Sequence, residues 1–513
     1  MDTQKTEASS EGKPVSISQR LGQLQFHWSG KFRVLQFADI QDGPKVSADT
    51  IRLLEAACDA ARPDLVIFSG NQIAGYHDAF ADTFQRRQWS EKPQETAETS
   101  MLREQTKALV RKQISQYITP LNRRGIPWAV TYGNHDFQCG LSNAELDSIY
   151  REFEGCLNPV ADADTAANPR LERVAALENQ HAYACQPGTF ALPVMDSEGK
   201  RAVLGVVLVD SGDYAREGGY GAPSESALSF IRQAPSMVGK PCMLFQHMPI
   251  PQYYQVLKTV PPQTDGAIQG YREFEGNYYV LDSDRTQPGS YLGEGISCPD
   301  RDSGEYEIIL SSSVGSSAAG LTSEGQGAGG SVGGNAGAIA DSVADNAEGM
   351  QNAENVQNTV DVQNTVGMQD IAGAADQSEQ HALGDSSSRN TTNRGYFAMV
   401  TGHDHRNGFV GLLDGMMLVA TPTCGFGSYG PALHKRAARL FEFDIRHPYN
   451  PRTQLLEFGP LVGKPKQGRA YAYGMASVEE DDKGVDLLHK PSVKDWFKKT
   501  GEKLNKSLGF GEK

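Results

Sequence analysis

The sequence predicts a fold of the α/β class. In the first third of the chain, short apolar runs alternate with segments of helical spacing, which is the pattern of a sheet covered by helices. Polar residues follow each apolar run directly, at the place where open α/β sheets bind their ligands. Apolar runs are more frequent in the middle of the chain, so we expect strand-rich structure there.

The predicted elements follow the chain in order. Helical spacing over 49–61, with Asp49 as the expected N-cap, lies between the first two strands and ends before Pro63. A long helix is expected over 98–117. Strands are predicted at 33–39, 65–68, 126–131, 183–194, 202–210, 243–246 and 396–400, and hairpin strands at 410–421 and 439–445.

Composition divides the chain into five segments. Residues 1–30 form a polar lead-in, 31–310 and 396–470 form two parts of one domain, and 471–513 form a tail. Residues 311–395 separate the two parts, contain no Phe, Tyr or Trp, and repeat the motif Val-Gln-Asn-Thr-Val. Such a segment buries too little apolar surface to offset its ordering entropy, so we predict a disordered low-complexity insertion.

Charge and cysteine usage exclude several classes of function. The chain has 513 residues and a net charge of −15, from 48 Lys and Arg against 63 Asp and Glu. No nucleic-acid patch is therefore expected, and an anionic substrate needs a local positive charge such as a metal ion. Seven cysteines without a Cys-x-x-Cys pair, no signal-peptide pattern and no long apolar run predict a cytoplasmic protein without a transmembrane segment.

The tail contains a short amphipathic segment at 491–510. Ser492 and Asp495 are spaced as a capping box, and Trp496 and Phe497 lie near one face with lysines opposite. The segment could make a peripheral contact with a membrane or a partner. The other interpretation, which Gly501 and the short length favour, is a weak terminal helix that packs on the domain or frays.

Residue types that bind metal ions stand at the ends of five predicted strands. They are Asp39 with Gln41, Asn71, Asn134 with His135, His247, and His403 with His405. Each alone has an ordinary explanation, because a Gly-Asn pair usually forms a turn and a lone His is more often structural than a ligand. Their joint occurrence, with two imidazoles in Gly402-His-Asp-His405, favours a metal site.

These motifs resemble those of the calcineurin-like metallophosphoesterases. That family has the five blocks Asp-x-His, Gly-Asp, Gly-Asn-His-Asp/Glu, His and Gly-His-x-His, in this order. Within it, the chain is most similar to the purple-acid-phosphatase-like branch of fungi and plants. This closer resemblance depends on Val209–Tyr214, His247-x-Pro-x-Pro251, Gly293–Ser297, Thr401–His405 with Asn407, and Cys424–Gly427.

The resemblance implies a four-layer α/β/β/α sandwich and a hydrolase with two metal ions. Mn, Fe or Zn, as divalent or trivalent ions, are the metals it implies. One ion would be held by Asp39, Gln41, Asn71 and His405, and the other by Asn71, Asn134, His247 and His403. A metal-bound hydroxide would attack a phosphomonoester or phosphodiester, and His135 would donate a proton to the leaving oxygen.

Two positions depart from the family pattern. Gln41 stands where the family has His, and Asn71 stands where the family has the bridging Asp. A carboxamide offers one good oxygen donor and no charge, whereas a carboxylate gives one oxygen to each metal. Purple acid phosphatases use a Tyr three residues after the bridging Asp, but here that position is Ala74 and Tyr76 lies two residues further on.

Three outcomes therefore remain open. The chain is a two-metal enzyme with altered metal preference, a one-metal enzyme of low activity, or a protein that binds a metal or phosphate ligand and acts through partners. Asp42, next to Gln41, is a candidate replacement ligand. The retained His135 favours catalysis.

Overall fold

The computed structural model describes residues 16–90, 94–315 and 393–466, together with the backbone of two short strands at 471–472 and 485–486. The central part of the predicted insertion and the amphipathic segment of the tail lie outside these residues. The same holds for the first 15 residues of the predicted lead-in.

The described chain contains eighteen strands and eight helices. The strands are β1 Lys31–Phe37, β2 Leu65–Ser69, β3 Trp128–Thr131, β4 Arg170–Arg173, β5 His181–Gln186, β6 Thr189–Met195, β7 Ala202–Val209, β8 Cys242–Gln246, β9 Leu257–Val260, β10 Ile268–Gln269, β11 Tyr278–Leu281, β12 Tyr396–Thr401, β13 Val410–Leu413, β14 Met416–Ala420, β15 Ala437–Asp444, β16 Arg452–Glu457, β17 Tyr471–Ala472 and β18 Val485–Asp486. The helices are α1 Ile17–Leu21, α2 Ala48–Ala61, α3 Ala97–Asn122, α4 Asn143–Tyr150, α5 Ala163–Ala167, α6 Glu225–Val238, α7 Glu305–Ser311 and α8 Phe458–Val462.

Two large sheets organise the fold. The first has the order β16-β15-β1-β2-β3, with β1, β2 and β3 parallel. The second has the order β13-β14-β12-β8-β7-β6-β5-β4, with β7, β8, β12 and β14 parallel. Small sheets formed by β9, β10 and β11 and by β17 and β18 complete the pairing.

Alternate residues of the central strands face two different cores. In β1, Leu35 packs in the core formed with α2 and α3, whereas Val34 packs in the core between the two sheets. In β8, Phe245 faces that same inter-sheet core and Leu244 faces the core that contains α6 and α7. Since side chains alternate along a strand, each sheet is covered on both faces. The four-layer α/β/β/α architecture is thereby confirmed.

Local structure corrects several sequence-based boundaries. The N-cap of α2 is Ser47, whose side chain accepts from the Asp49 backbone, so Asp49 lies inside the first turn. The predicted strand over 183–194 is a hairpin of β5 and β6, because Gly188 adopts a left-handed turn conformation. The predicted helix over 98–117 extends to Asn122, with Pro120 in its last turn.

The folded chain begins before the predicted boundary at residue 31. Leu24 and Phe26 are fully buried in the inter-sheet core, and Gln25 pairs with Met195 at the end of β6. Residues 16–30 are therefore part of the domain, although their polar composition suggested a lead-in.

The ends of the predicted insertion also belong to the domain. Ser311 is the last residue of α7, and Ser313 pairs with Arg394 just before β12. No helix in the described parts of the chain is long and apolar enough to cross a membrane.

Candidate metal centre

The candidate residues converge where the carboxyl ends of strands from both sheets meet. Asp39, Asn71 and Asn134 follow β1, β2 and β3 of the first sheet, and His247 and His403 follow β8 and β12 of the second. Backbone hydrogen bonds join neighbouring strand ends within each sheet, since Asp39 N donates to Gly70 O in the first and Gly402 N donates to His247 O in the second. The structure therefore brings these strand ends together, as the sequence predicts.

Backbone strain is concentrated at these strand ends. Seven non-glycine residues of the described chain have positive φ, and four of them are predicted ligands: Asp39, Gln41, Asn71 and His403. A positive φ is uncommon for any residue with a Cβ. A long side chain such as that of Gln41 forms no local interaction that offsets the cost of this conformation. Strain of this kind clusters at functional sites, where the surrounding structure over-determines the conformation.

Asn134, His247 and His403 form one cluster, which we call the histidine half-site. His247 Nε2 lies 3.1 Å from Asn134 Oδ1 and 3.2 Å from His403 Nδ1. All three side chains are buried. His247 Nδ1 lies 3.1 Å from Ser69 O, which fixes the ring so that Nε2 faces the other two donors.

Asp39 and His405 form the second cluster, the carboxylate half-site, to which the sequence also assigns Gln41, two residues after Asp39. Asp39 Oδ1 lies 3.3 Å from His405 Nε2 and 3.9 Å from His247 Nε2, so it connects the two half-sites. Asp39 Oδ2 accepts from the His403 backbone at 2.9 Å. His405 is oriented by a 2.8 Å contact of Nδ1 with Tyr429 O and by stacking on the Tyr429 ring, with centroids 4.1 Å apart.

Protonation states in both half-sites suit a metal ion. Burial opposes ionisation of Asp39, but the neighbouring His247 and His405 outweigh it and hold the pKa of this carboxyl at about 2. Burial lowers the pKa of His247 and lowers that of His403 well below its usual range. An ionised carboxylate and neutral imidazoles are the forms in which these side chains bind metals.

Three polar atoms in the site are buried without a hydrogen-bond partner in the described chain: Asp39 Oδ1, Gln41 Oε1 and His403 Nε2. A buried polar atom without a hydrogen bond is costly, and each of these three atoms is of a type that binds metal ions. Each half-site contains only two His or Asp side chains and completes its set with an amide. Accordingly, nowhere in residues 16–90, 94–315 and 393–466 do three or more His, Cys, Asp or Glu side chains form a ready metal cage by themselves.

Asn71 is held in one orientation between the two half-sites. Its Oδ1 accepts from the His135 backbone at 2.9 Å, and its Nδ2 donates to Asn134 Oδ1 at 3.1 Å. A backbone N–H requires an acceptor, so the amide cannot be flipped without losing that bond. Asn71 therefore presents N–H groups, rather than an oxygen, to the histidine half-site.

His135 lies beside the ligands rather than among them. Its Nδ1 is 2.7 Å from Gln138 Oε1, and its ring meets the Tyr76 ring edge-on, with centroids 4.9 Å apart. Burial is the main cause that lowers the pKa of His135 to about 4. Gln138 Nε2 donates to Arg86 O, which leaves Oε1 to accept from Nδ1 and makes Nε2 the unprotonated nitrogen.

Two neighbouring carboxylates support the turns. Asp136 accepts from the backbones of Gly133, Asn71 and Ile73 at 2.7 to 2.9 Å. Asp42 Oδ2 accepts from Ser47 N and Thr50 Oγ1 at 3.1 and 3.0 Å. This oxygen of Asp42 caps the start of α2, and the role of Asp42 as a replacement ligand stays a prediction.

Tyr76 reaches the site despite its displaced position in the sequence. Gln41 Nε2 donates to Tyr76 Oη at 3.0 Å, which leaves Gln41 Oε1 as the free oxygen of that amide. A second tyrosine, Tyr214, ends the Val209–Tyr214 motif, to which the sequence assigned no role at the site; its Oη accepts from Asn134 Nδ2 at 2.7 Å. That bond points Asn134 Oδ1 towards His247.

Comparison with known proteins agrees with this geometry. The family model described as calcineurin-like phosphoesterase matches residues 32–252. The matched residues extend from β1 through His247, and β12 with His403 and His405 lies beyond them.

Curated proteins similar to this chain carry phosphatase names. Phosphatase DCR2 of Saccharomyces cerevisiae is 24% identical over 287 residues, which are 51% of this chain and 42% of that protein. Two Arabidopsis thaliana proteins, probable inactive purple acid phosphatases 14 and 28, are each 23% identical over 39% and 44% of this chain and over 44% and 55% of their own lengths. The chain thus spans about half the length of the curated relatives it matches.

Solved structures are also similar at low identity. A dimetal phosphatase from Danio rerio is 9% identical with a TM-score of 0.34, over 83% of this chain and 99% of that one. GAP50 of Plasmodium is 8% identical with a TM-score of 0.34, over 85% and 87% of the two chains.

Proposed function

We propose that this chain is a metal-dependent hydrolase of phosphomonoesters or phosphodiesters. The observation that carries the proposal is the pair of half-sites, in which neutral imidazoles, amide oxygens and an ionised carboxylate converge with three unpartnered polar atoms. Mixed nitrogen and oxygen donors of this kind suit Mn, Fe or Zn. In a chain of net charge −15, bound cations also supply the positive charge that a phosphate ester requires.

The two half-sites differ in how well they fit a metal ion. Asn134, His247 and His403 would hold one ion with three donors already facing one another. Asp39, His405 and Gln41 Oε1 would hold another, with a weaker neutral oxygen where an imidazole is usual. When bound, such ions stabilise charge on phosphoryl oxygens and activate water for attack.

His135 is the proposed proton donor to the leaving oxygen. It lies next to the histidine half-site through Asn134 and Asn71, and Gln138 fixes its ring. Because the pKa of His135 is lowered, its ring is neutral when no substrate is bound. A doubly negative phosphoryl group beside the ring favours the protonated form, so substrate binding itself would charge the donor.

A second function is favoured by the orientation of Asn71. Its amide directs N–H groups at the histidine half-site and brings no negative charge between two cations. The protein would then hold one ion, or a phosphate ligand, with weak or no turnover. The names of the two Arabidopsis relatives, which call them probable inactive phosphatases, agree with this alternative.

Replacing His135 by alanine separates the two functions. If the chain is a hydrolase, His135→Ala lowers the Mn²⁺-dependent rate of aryl phosphate hydrolysis by about 100-fold, the lower end of the contribution of a general acid, while Mn²⁺ binding measured by calorimetry persists. The exposed His447 serves as a matched control, and His447→Ala leaves the rate unchanged. Equal rates in wild-type and His135→Ala protein, with every metal tried, would exclude the proposed hydrolase.

Two further hypotheses rest on the sequence. The peripheral contact by the 491–510 segment and the cytoplasmic location both stay predictions.

A further inference from the structure

Three arginines each lie over an aromatic ring that is connected by contacts to the candidate metal centre. The guanidinium carbon of Arg87 is 3.7 Å from the centroid of Tyr214, and that of Arg406 is 5.8 Å from the centroid of Tyr429. Arg216 lies over Trp89 at 5.4 Å. These distances are within the range in which an aromatic ring attracts a cation. We call the three arginines the cationic rim.

Each aromatic ring links its arginine to the metal centre. Tyr214 accepts from the candidate ligand Asn134, and Tyr429 stacks on the candidate ligand His405. Trp89 Nε1 donates to Tyr214 O at 3.0 Å, which places Arg216 beside the same group. The arginines of the cationic rim are therefore connected to candidate ligands through one or two intervening aromatic residues.

The ring faces around the site are already occupied. Tyr214 has Arg87 on its ring and stacks on Tyr220, with centroids 5.7 Å apart. Tyr429 lies between His405 and Arg406. The guanidinium groups carry N–H donors along their edges, and these donors bind anions.

The guanidinium groups of the cationic rim are not paired with described carboxylates. Arg216 and Arg406 are exposed and Arg87 is half-buried. The nearest acidic groups bind backbone instead, since Asp213 accepts from Gln88 N and Glu294 accepts from Arg406 N. Within the part of the chain that the structure describes, no ion pair involves any of the three guanidinium groups.

We propose that the cationic rim binds a second phosphate group of the substrate, so that the site prefers a small bisphosphate to the corresponding monophosphate. The proposal rests on the proposed function for the location of the first phosphate, at the metal centre. Arginine recognises phosphate through parallel N–H donors, and a guanidinium already held near an aromatic ring loses less freedom on binding. The assigned substrate class is a phosphate ester with two separated phosphates.

Calorimetry with two matched probes tests this preference. Adenosine 3′,5′-bisphosphate is expected to bind Mn²⁺-supplied protein about tenfold more tightly than adenosine 5′-monophosphate, as a few exposed charge-assisted contacts allow. In the triple variant Arg87→Gln, Arg216→Gln, Arg406→Gln, the two affinities become equal. The variant Arg232→Gln, on the exposed face of α6, retains the preference. If the triple variant does not fold, Arg406→Gln alone is expected to lose part of the preference.

The outcomes separate this proposal from the hydrolase proposal. Equal affinity of the two probes for wild-type protein, or a preference that survives in the triple variant, overturns the second-phosphate site. Hydrolysis of aryl phosphate together with equal affinities would overturn only the second-phosphate site. A bisphosphate preference that is lost in the triple variant supports the site, even if no hydrolysis is detected.

Discussion

The substitution Asn71→Asp is expected to increase Mn²⁺ affinity by more than about tenfold, because even partners that only orient metal ligands contribute that much. One oxygen of the introduced carboxylate would keep the His135 backbone bond, and the other would replace Nδ2 near Asn134 Oδ1. The second carboxylate oxygen would then lie about as far from Asn134 Oδ1 as Nδ2 does now, which is 3.1 Å. Two oxygens at that distance repel each other unless a cation lies between them. The same substitution is expected to raise the rate of aryl phosphate hydrolysis.

Stability measurements reveal the cause of that gain. Without metal, Asn71→Asp is expected to lower the free energy of unfolding by about 3 kcal/mol, since it buries an uncompensated charge. Added Mn²⁺ should then raise the melting temperature of Asn71→Asp by more than that of wild-type protein. Asn158 is a matched control because it is buried, and its amide pairs with Val130 and Asp147 away from the site. If added Mn²⁺ raises the melting temperature of Asn158→Asp as much as that of Asn71→Asp, the bridging role of position 71 is refuted.

Loss of the Asp39 charge is expected to have the largest effect on the carboxylate half-site. Asp39→Asn retains the shape of the side chain and leaves an acceptor for the His403 backbone, but it removes the unpartnered carboxylate oxygen next to His405. The rate of aryl phosphate hydrolysis and the Mn²⁺ affinity are each expected to fall by about 100-fold. Calorimetry and initial rates measure the two losses.

Asp42→Asn is the matched control for Asp39→Asn. Asp42 lies three residues along the same loop, is also buried, and caps the start of α2 through Ser47 and Thr50. Its amide variant is expected to lose about 1 kcal/mol of folding stability and to keep its Mn²⁺ affinity. Equal loss of metal binding in the two variants would mean that the loop, and not the Asp39 carboxylate, determines the effect.

Much of the site could be predicted from where polar residues stand along the sequence. The apolar runs of β1, β2, β3, β8 and β12 are unambiguous, and each ends at a residue with a metal-binding side chain. Because parallel strands present their carboxyl ends at one edge of a sheet, order along the chain becomes proximity in space. The convergence of His247 and His403, 156 residues apart, was predictable on this ground.

Other features of the site depend on contacts that no local pattern encodes. The orientation of the Asn71 amide is set by the His135 backbone, and the positive φ of Gln41 is set by tertiary packing. Tyr214 is brought to Asn134 by a loop 80 residues away. A sequence pattern identifies a residue type at a strand end, but it does not identify the atom that the side chain directs at a metal.

Polar composition also obscured part of the fold. Leu24 and Phe26 are two of five apolar residues in the stretch 16–30, which is otherwise polar or glycine and therefore resembled a lead-in. Both side chains nevertheless fill the core between the sheets. Burial of a few large side chains and a bridge to Met195 are enough to order a short segment against an existing sheet edge.

The decisive measurement is the rate of aryl phosphate hydrolysis by the purified chain across a Mn²⁺ titration, with His247→Ala measured in parallel. His247 belongs to the histidine half-site, where three donors already lie within hydrogen-bonding distance of one another. The expected result is hydrolysis that rises with Mn²⁺ and is lost in His247→Ala. A rate that does not depend on any added metal, or one that His247→Ala leaves unchanged, would contradict the assignment of these strand ends as a catalytic metal centre.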